Sequence, residues 1–249
     1  MSATATSTRP PLSRLTLVEL RKMTDTKAGF WLQLSVLALA VLVVVVNALA
    51  GHATDHQFMD YFSGTSQGIS ALLPVLGILL VTSEWSQRTA MITFSLVPQR
   101  TRVVTAKVLA AVVLALVGLV IALLLSVIGT AITDPGVPGT WRLPPGAVGQ
   151  VALYLTATML IGVAFGAVLL NSAPAIVIYY LAPIGFGALG AIHVLDHPML
   201  WVDQSRAMEH INDRFLSSTE WAHVGTSLAV WILLPLAIGM ERIQHSEIR

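Results

Sequence analysis

Five long stretches of the chain contain no Asp, Glu, Lys or Arg, and polar segments separate them. The stretches cover 28–54, 61–83, 108–133, 143–195 and 221–240. Because a helix needs about 20 apolar residues to cross a bilayer, four of these stretches hold one spanning helix each. The 143–195 stretch is long enough for two, and Pro174 marks the break because proline disfavours helix in the residue before it. The pattern predicts an all-α integral membrane protein with six spanning helices.

The predicted spans form one domain, residues 12–249, after a disordered N-terminal tail of residues 1–11. We expect them near residues 30–50, 66–83, 108–130, 147–170, 174–195 and 223–240. The composition also indicates a membrane protein, because only 11% of the residues are charged, against about 25% in soluble domains. The fourth predicted span carries Gly162 and Gly166, a spacing of small residues that lets two membrane helices approach closely.

The basic residues predict the orientation of the spans. With a cytoplasmic N-terminus, 11 of the 14 Lys and Arg residues lie on the cytoplasmic side and only Arg142, Arg206 and Arg214 lie outside. Membrane proteins carry an excess of Lys and Arg in their cytoplasmic loops. Since six crossings return the chain to its starting side, both termini are expected in the cytoplasm.

Two segments outside the spans also carry helical patterns. Residues 12–24 predict an interfacial helix with an apolar side and a basic side, although Glu19 interrupts the apolar side and an ordinary basic flank is the alternative. The polar residues of this segment include Glu19, Arg21 and Lys22. Residues 193–220 contain enough apolar side chains to form short helices that re-enter the outer leaflet before the last span.

The chain lacks the sequence signatures of several function classes. The chain has no G-x-x-x-x-G-K-[ST] run, no H-E-x-x-H, no G-x-S-x-G and no cysteine, so we expect neither catalysis nor a bound cofactor in this chain. No basic stripe with interleaved aromatic residues predicts nucleic-acid binding. The outer histidines, including His193 and His197, are interpreted as residues of a membrane edge rather than metal ligands.

The strongest positive signal is the polar segment 84–107 between the second and third predicted spans. It contains Glu84, then Thr89 and Phe94, then Pro98 and Arg102, and closes with an Ala-Lys pair at 106–107. This order resembles the loop after the second span in permease subunits of type-2 ATP-binding-cassette (ABC) transporters. The N-terminal Glu19-Leu20-Arg21-Lys22 resembles the Glu-x-x-Lys motif of the same family. One departure is Arg88, where many members have glycine.

The resemblance implies a cytoplasmic coupling helix that docks on a separate ABC ATPase subunit. The implied docking residues are Glu84, Trp85, Arg88, Thr89, Ile92, Phe94, Pro98 and Arg102. ATP and Mg²⁺ would be bound by two copies of that ATPase, and a second permease copy or a paralogue would complete the transporter. An ordinary loop anchored by Arg and Trp side chains is the alternative interpretation of the segment.

We therefore expect a permease subunit of an ATP-driven exporter in the plasma membrane of a bacterium. The leading alternative is a membrane scaffold or sensor that binds a cytoplasmic partner other than an ATPase. A secondary transporter is less favoured, because ion-coupled carriers usually place charged residues within their spans. The sequence does not identify the substrate.

Overall fold

The computed structural model describes residues 10–50, 57–87, 99–133, 136, 138–211 and 214–245. Within these ranges the regular structure is helical throughout, as predicted. The longer helices are α1 Leu12–Asp25, α2 Lys27–Ala50, α3 Phe58–Ser86, α4 Arg100–Thr133, α5 Ala147–Leu169 and α6 Ser172–Gly190. They are followed by α7 Asp196–Val202, α8 Gln204–Ala207, α9 Ser218–Leu228, a π-helical turn Ala229–Leu233 and α10 Leu234–His245.

Six helices are long and apolar enough to cross a membrane. They are α2, α3, α4, α5, α6 and the continuous helix Ser218–His245, which joins α9, the π-helical turn and α10. The predicted number of spans and their order along the chain are therefore confirmed. The chain has the architecture of a multi-pass membrane protein.

The ends of several helices differ from the predicted spans. α3 begins at Phe58 rather than near residue 66, because Gln57 and Asp60 form a capping box at its first turn. α4 begins at Arg100, eight residues before the predicted third span. The predicted ends of the spans were taken from hydropathy. The helices extend further, because a helix can continue through polar residues whose side chains form hydrogen bonds or ion pairs.

The two ends of the helix bundle are built differently. At the α1 end lie α1, the last turns of α3 and α10, and the first turns of α4. At the α7 end lie α7, α8, the first turn of α3 and the turn at residues 138–146, where Phe58 donates its backbone N–H to the Thr140 carbonyl at 2.9 Å. Helix α3 joins the two ends and packs against α2, α4, α5 and α6.

The closest packing in the bundle occurs where α3 crosses α5. A Cβ atom at Gly162 would overlap the backbone carbonyl of Pro74, and one at Gly166 would lie 3.0 Å from the carbonyl oxygen of Ile78. Gly77 of α3 faces α5 in the same way, with Val163 N 2.9 Å from the position of a Cβ. The two backbones are in contact here, and only glycine leaves room for them.

We predict that Gly162→Ala destabilises the protein by about 1–3 kcal/mol, because the added methyl group must displace backbone rather than a flexible side chain. The measurement is unfolding by SDS titration in mixed micelles. Gly149→Ala is the matched control, since Gly149 lies in the same helix with nothing within 4 Å of a Cβ. Equal stability of the two variants would contradict the close contact.

Candidate functional site

Four charged side chains meet inside the bundle at the α1 end, and together they are called the ion cluster here. Lys107 Nζ lies 2.5 Å from Glu19 Oε2 and 3.4 Å from Glu84 Oε1. Lys22 Nζ lies 2.7 Å from Glu19 Oε1 and 2.5 Å from Glu84 Oε1. Each lysine therefore contacts both carboxylates, and the cluster joins α1, α3 and α4.

Local helix geometry places these four side chains. Glu19 and Lys22 are three residues apart on α1, so both project from one face. Glu84 lies in the last turn of α3, and Lys107 lies in the second turn of α4. Because the backbone is helical at all four positions, the side chains have well-defined directions into the space between the three helices.

Three of the four side chains of the ion cluster are almost completely buried. The exposed fractions of Glu19, Glu84 and Lys107 are 4%, 5% and 4%. Lys107 also donates a hydrogen bond to the Leu80 carbonyl at 2.8 Å. Two carboxylates and two ammonium groups balance each other, which offsets the large cost of burying an isolated charge.

Lys22 lies at the rim of the cluster, with 35% of its side chain exposed. Burial by itself lowers the pKa of Lys22, but the carboxylates of Glu19 and Glu84 outweigh burial and raise the pKa above its usual value of 10.5. Lys22 is therefore charged at physiological pH and keeps the cluster electrically neutral.

Two arginines at the start of α4 connect it to both ends of the chain. Arg100 donates to the backbone carbonyls of Ile243 and Gln244, the latter at 3.0 Å, which ties α4 to α10. Arg102 donates to the Pro10 carbonyl at 2.8 Å, which ties α4 to the chain two residues before α1. The chain that leaves α3 at Gln87 and returns at Gln99 thus has both of its ends fixed to neighbouring helices.

The predicted docking residues fall into two groups. Arg88, Thr89, Ile92, Phe94 and Pro98 lie outside the described residues, and so does the predicted coupling helix. Glu84, Trp85 and Arg102 are described, and of these Trp85 and Arg102 are half-buried.

One expectation about an individual side chain is corrected. Glu84 was expected to face the cytoplasm or a partner, but it is buried and its carboxylate contacts Lys22 and Lys107. Glu19 does interrupt the apolar side of α1, where it is buried on the same side as Met23, and its carboxylate contacts Lys107. Arg21 is exposed. Both carboxylates can be buried because each contacts an ammonium group from a helix distant in sequence.

The segment before the last span is helical and well anchored at the α7 end. It contains α7 and α8, as the prediction of short helices requires, while their placement in a leaflet remains a prediction. The Gln150 side chain donates to the carbonyls of Ile211 and Arg214, each at 2.8 Å. Trp231 Nε1 donates to the Val202 carbonyl at 2.6 Å.

No group of three or more His, Cys, Asp or Glu side chains that could hold a metal ion occurs in the described ranges. The ring of His223 packs edge-on against Trp201, with the centroids 4.4 Å apart.

Sequence reasoning did not predict the ion cluster. Its signal was present in the apolar side of α1, where Glu19 is the one acidic residue, and in Lys107 next to an uncharged run. Both are unfavourable positions for an unpaired charge. Their pairing spans 88 residues of sequence, so no local pattern connects them.

Neither a comparison with models of known protein families nor a search of curated proteins gave a match to this chain. The geometry of the α1 end and the sequence resemblance therefore carry the functional argument.

We predict that Lys107→Met costs about 3–5 kcal/mol of stability, because it leaves two buried carboxylates with one ammonium group. The double variant Glu19→Gln with Lys107→Met should recover more than 1 kcal/mol, since it removes one charge of each sign. SDS unfolding in mixed micelles measures both effects.

Lys27→Met is the matched control for this cycle, because Lys27 is an exposed lysine at the start of α2. Its effect should stay within about 0.5 kcal/mol. Additive losses in the double variant would show that Glu19 and Lys107 do not interact, contrary to the structure.

We also predict the pH dependence that Lys22 contributes. Since folding raises the pKa of Lys22, its contribution to stability is complete below pH 10.5 and is lost as the pH rises through the raised value. The difference in melting temperature between the unaltered chain and Lys22→Met should be constant from neutral pH to about pH 10 and then shrink. A difference that already shrinks near neutral pH would contradict the assignment.

Proposed function

We propose that this chain is the membrane-spanning permease subunit of an ATP-driven ABC exporter. Six apolar helices supply the membrane domain, and the residues of segment 84–107 supply the resemblance to type-2 ABC permeases. In this proposal a separate ATPase binds ATP and Mg²⁺. The chain itself converts movement of that ATPase into movement of its helices.

The observation that carries the proposal is that the described residues on both sides of segment 88–98 are attached to neighbouring helices. On one side, the last turn of α3 is held through Glu84 to Lys22 and Lys107. On the other side, Arg100 and Arg102 bind backbone carbonyls near the C-terminal and N-terminal ends of the chain. A force applied to this segment would therefore reach α1, α3, α4 and α10 together.

Such an attachment suits a coupling element better than a simple connecting loop. Two charged groups buried in the ion cluster cannot separate without exposing one of them to an apolar environment, which costs several kcal/mol. Movement of the α3 end is then transmitted to α1 and α4 instead of being absorbed locally. This property supports the proposed role of the segment as the docking site of the ATPase.

The proposed assembly contains two permease chains and two ATPase subunits in the plasma membrane of a bacterium. The second permease is a copy of this chain or a paralogue. The distribution of Lys and Arg, 11 against 3, supports cytoplasmic termini and a cytoplasmic α1 end. The ATPase would then approach the α1 end.

We predict that Arg88→Glu and Phe94→Ala abolish co-purification of the ATPase with the tagged chain. The expected reasons are a reversed charge and a lost apolar contact at the docking surface. The measurement is purification from the native host in mild detergent, followed by identification of bound subunits and an ATP hydrolysis assay. Arg142→Glu is the matched control, because Arg142 is an exposed arginine at the opposite end of the bundle.

Glu84→Arg is not a suitable docking variant. It would place a third cation beside Lys22 and Lys107 inside the protein, so any loss of partner could reflect unfolding. Absence of an ATPase from the unaltered chain, under extraction that keeps other membrane complexes intact, would overturn the proposal. A different cytoplasmic partner would instead favour the scaffold interpretation, and transport driven by a proton gradient without ATP would favour a secondary transporter.

A further inference from the structure

An open groove lies near the α7 end, between α3, α5, α6 and α8. It has about 910 Å³ of empty space, including the part that is open at its mouth. Its lining includes Gln67, Tyr154, Tyr179, Tyr180 and Glu209. A second opening, lined by Asp203 and Arg206, shares Pro183, Ser205 and Glu209 with it, so the two are continuous.

The groove brings polar groups to the surface of spanning helices. Gln67 is exposed although it lies in α3, and Tyr180 of α6 is 41% exposed. An amide that faced hydrocarbon without a partner would cost several kcal/mol. Within spanning helices, polar residues are tolerated where they line a water-filled cavity or a ligand path. The groove is therefore a site for water or a ligand rather than for lipid chains.

Two tyrosine hydroxyls of the groove already have partners within the protein. The Tyr154 and Ser70 hydroxyls are hydrogen-bonded at 2.9 Å, and the Tyr180 hydroxyl donates to the Ala71 carbonyl. The Tyr179 ring packs edge-on against the Tyr180 ring, with the centroids 5.1 Å apart. With the Tyr154 and Tyr180 hydroxyls occupied, these tyrosines offer a ligand mainly their aromatic rings, which attract cations at their faces.

The charge of the groove is negative. Glu209 is exposed at the boundary of both openings, and within the described part of the chain its carboxylate has no hydrogen-bond or ion-pair partner. The nearby Arg206 lies 3.9 Å from Asp203, which is 2% exposed, so these two charges offset each other. One uncompensated carboxylate remains beside three aromatic rings.

From this combination we propose that the groove binds a lipophilic organic cation, held by the Glu209 carboxylate and by the rings of Tyr154, Tyr179 and Tyr180. The apolar part of such a ligand matches the surrounding spans, and its charge matches the carboxylate and the ring faces. The binding is a property of this chain alone. That the bound cation is also cargo rests on the proposed export function.

The test uses the full-length tagged chain in nanodiscs of uncharged lipid, with radiolabelled tetraphenylphosphonium as the probe. We expect saturable binding above that of empty nanodiscs. Glu209→Gln should weaken it about fivefold to tenfold, as loss of one partly solvated charge contact predicts. Tyr179→Leu should weaken binding by a similar factor because it removes a ring.

Two controls separate this site from non-specific adsorption. Tetraphenylborate, an anion of the same shape, is measured separately and should show no saturable binding. Glu241→Gln removes an exposed carboxylate at the α1 end and should leave cation binding unchanged. Gel filtration checks that each variant remains folded.

Equal saturable binding of the cation and the anion, or unchanged cation affinity in folded Glu209→Gln, would overturn the proposal. So would the absence of saturable cation binding to the unaltered chain. These outcomes are independent of the ATPase. Cation binding without a co-purifying ATPase would contradict the export proposal but support the cation site. A co-purifying ATPase without saturable cation binding would overturn the cation site but support the export proposal.

Discussion

The buried contact between Glu19 and Lys107 is the constraint on which the α1 end depends. Neither charge can remain in the apolar interior without the other. Because Lys22 and Glu84 complete the balance, α1 cannot move away from α3 and α4 without breaking ion pairs. A helix that hydropathy would place at the membrane surface is thereby made part of the bundle.

The six spans were predictable because hydropathy depends on local composition alone. The limits of α4 were not, since the helix continues from the apolar run into Arg100, Arg102 and Lys107. Each of these cations has a partner far away in sequence, at Gln244, Pro10 and Glu19. A local pattern records an unfavourable charge but not the distant group that makes the charge acceptable.

Helix packing and the groove were likewise only partly predictable, because a local sequence pattern does not identify partners that are distant in sequence. The spacing of Gly162 and Gly166 indicated a close helix contact, but only the fold identifies Pro74 and Ile78 of α3 as the opposing backbone. The hydroxyl partners of Tyr154 and Tyr180 both come from α3. The ring surfaces that remain for a ligand therefore become apparent only when the helices that line the groove are assembled.

Helix α3 connects the two proposed functional regions. It contributes Glu84 to the ion cluster and Ser70 to the wall of the groove, and 14 residues of helix separate them by about 21 Å. Between these positions, Gly77 lies against the backbone of α5. A backbone contact of this kind resists sliding more than a contact of flexible side chains, because backbone atoms cannot change rotamer. Displacement of the Glu84 end would therefore act on the groove chiefly by tilting α3 about its crossing with α5.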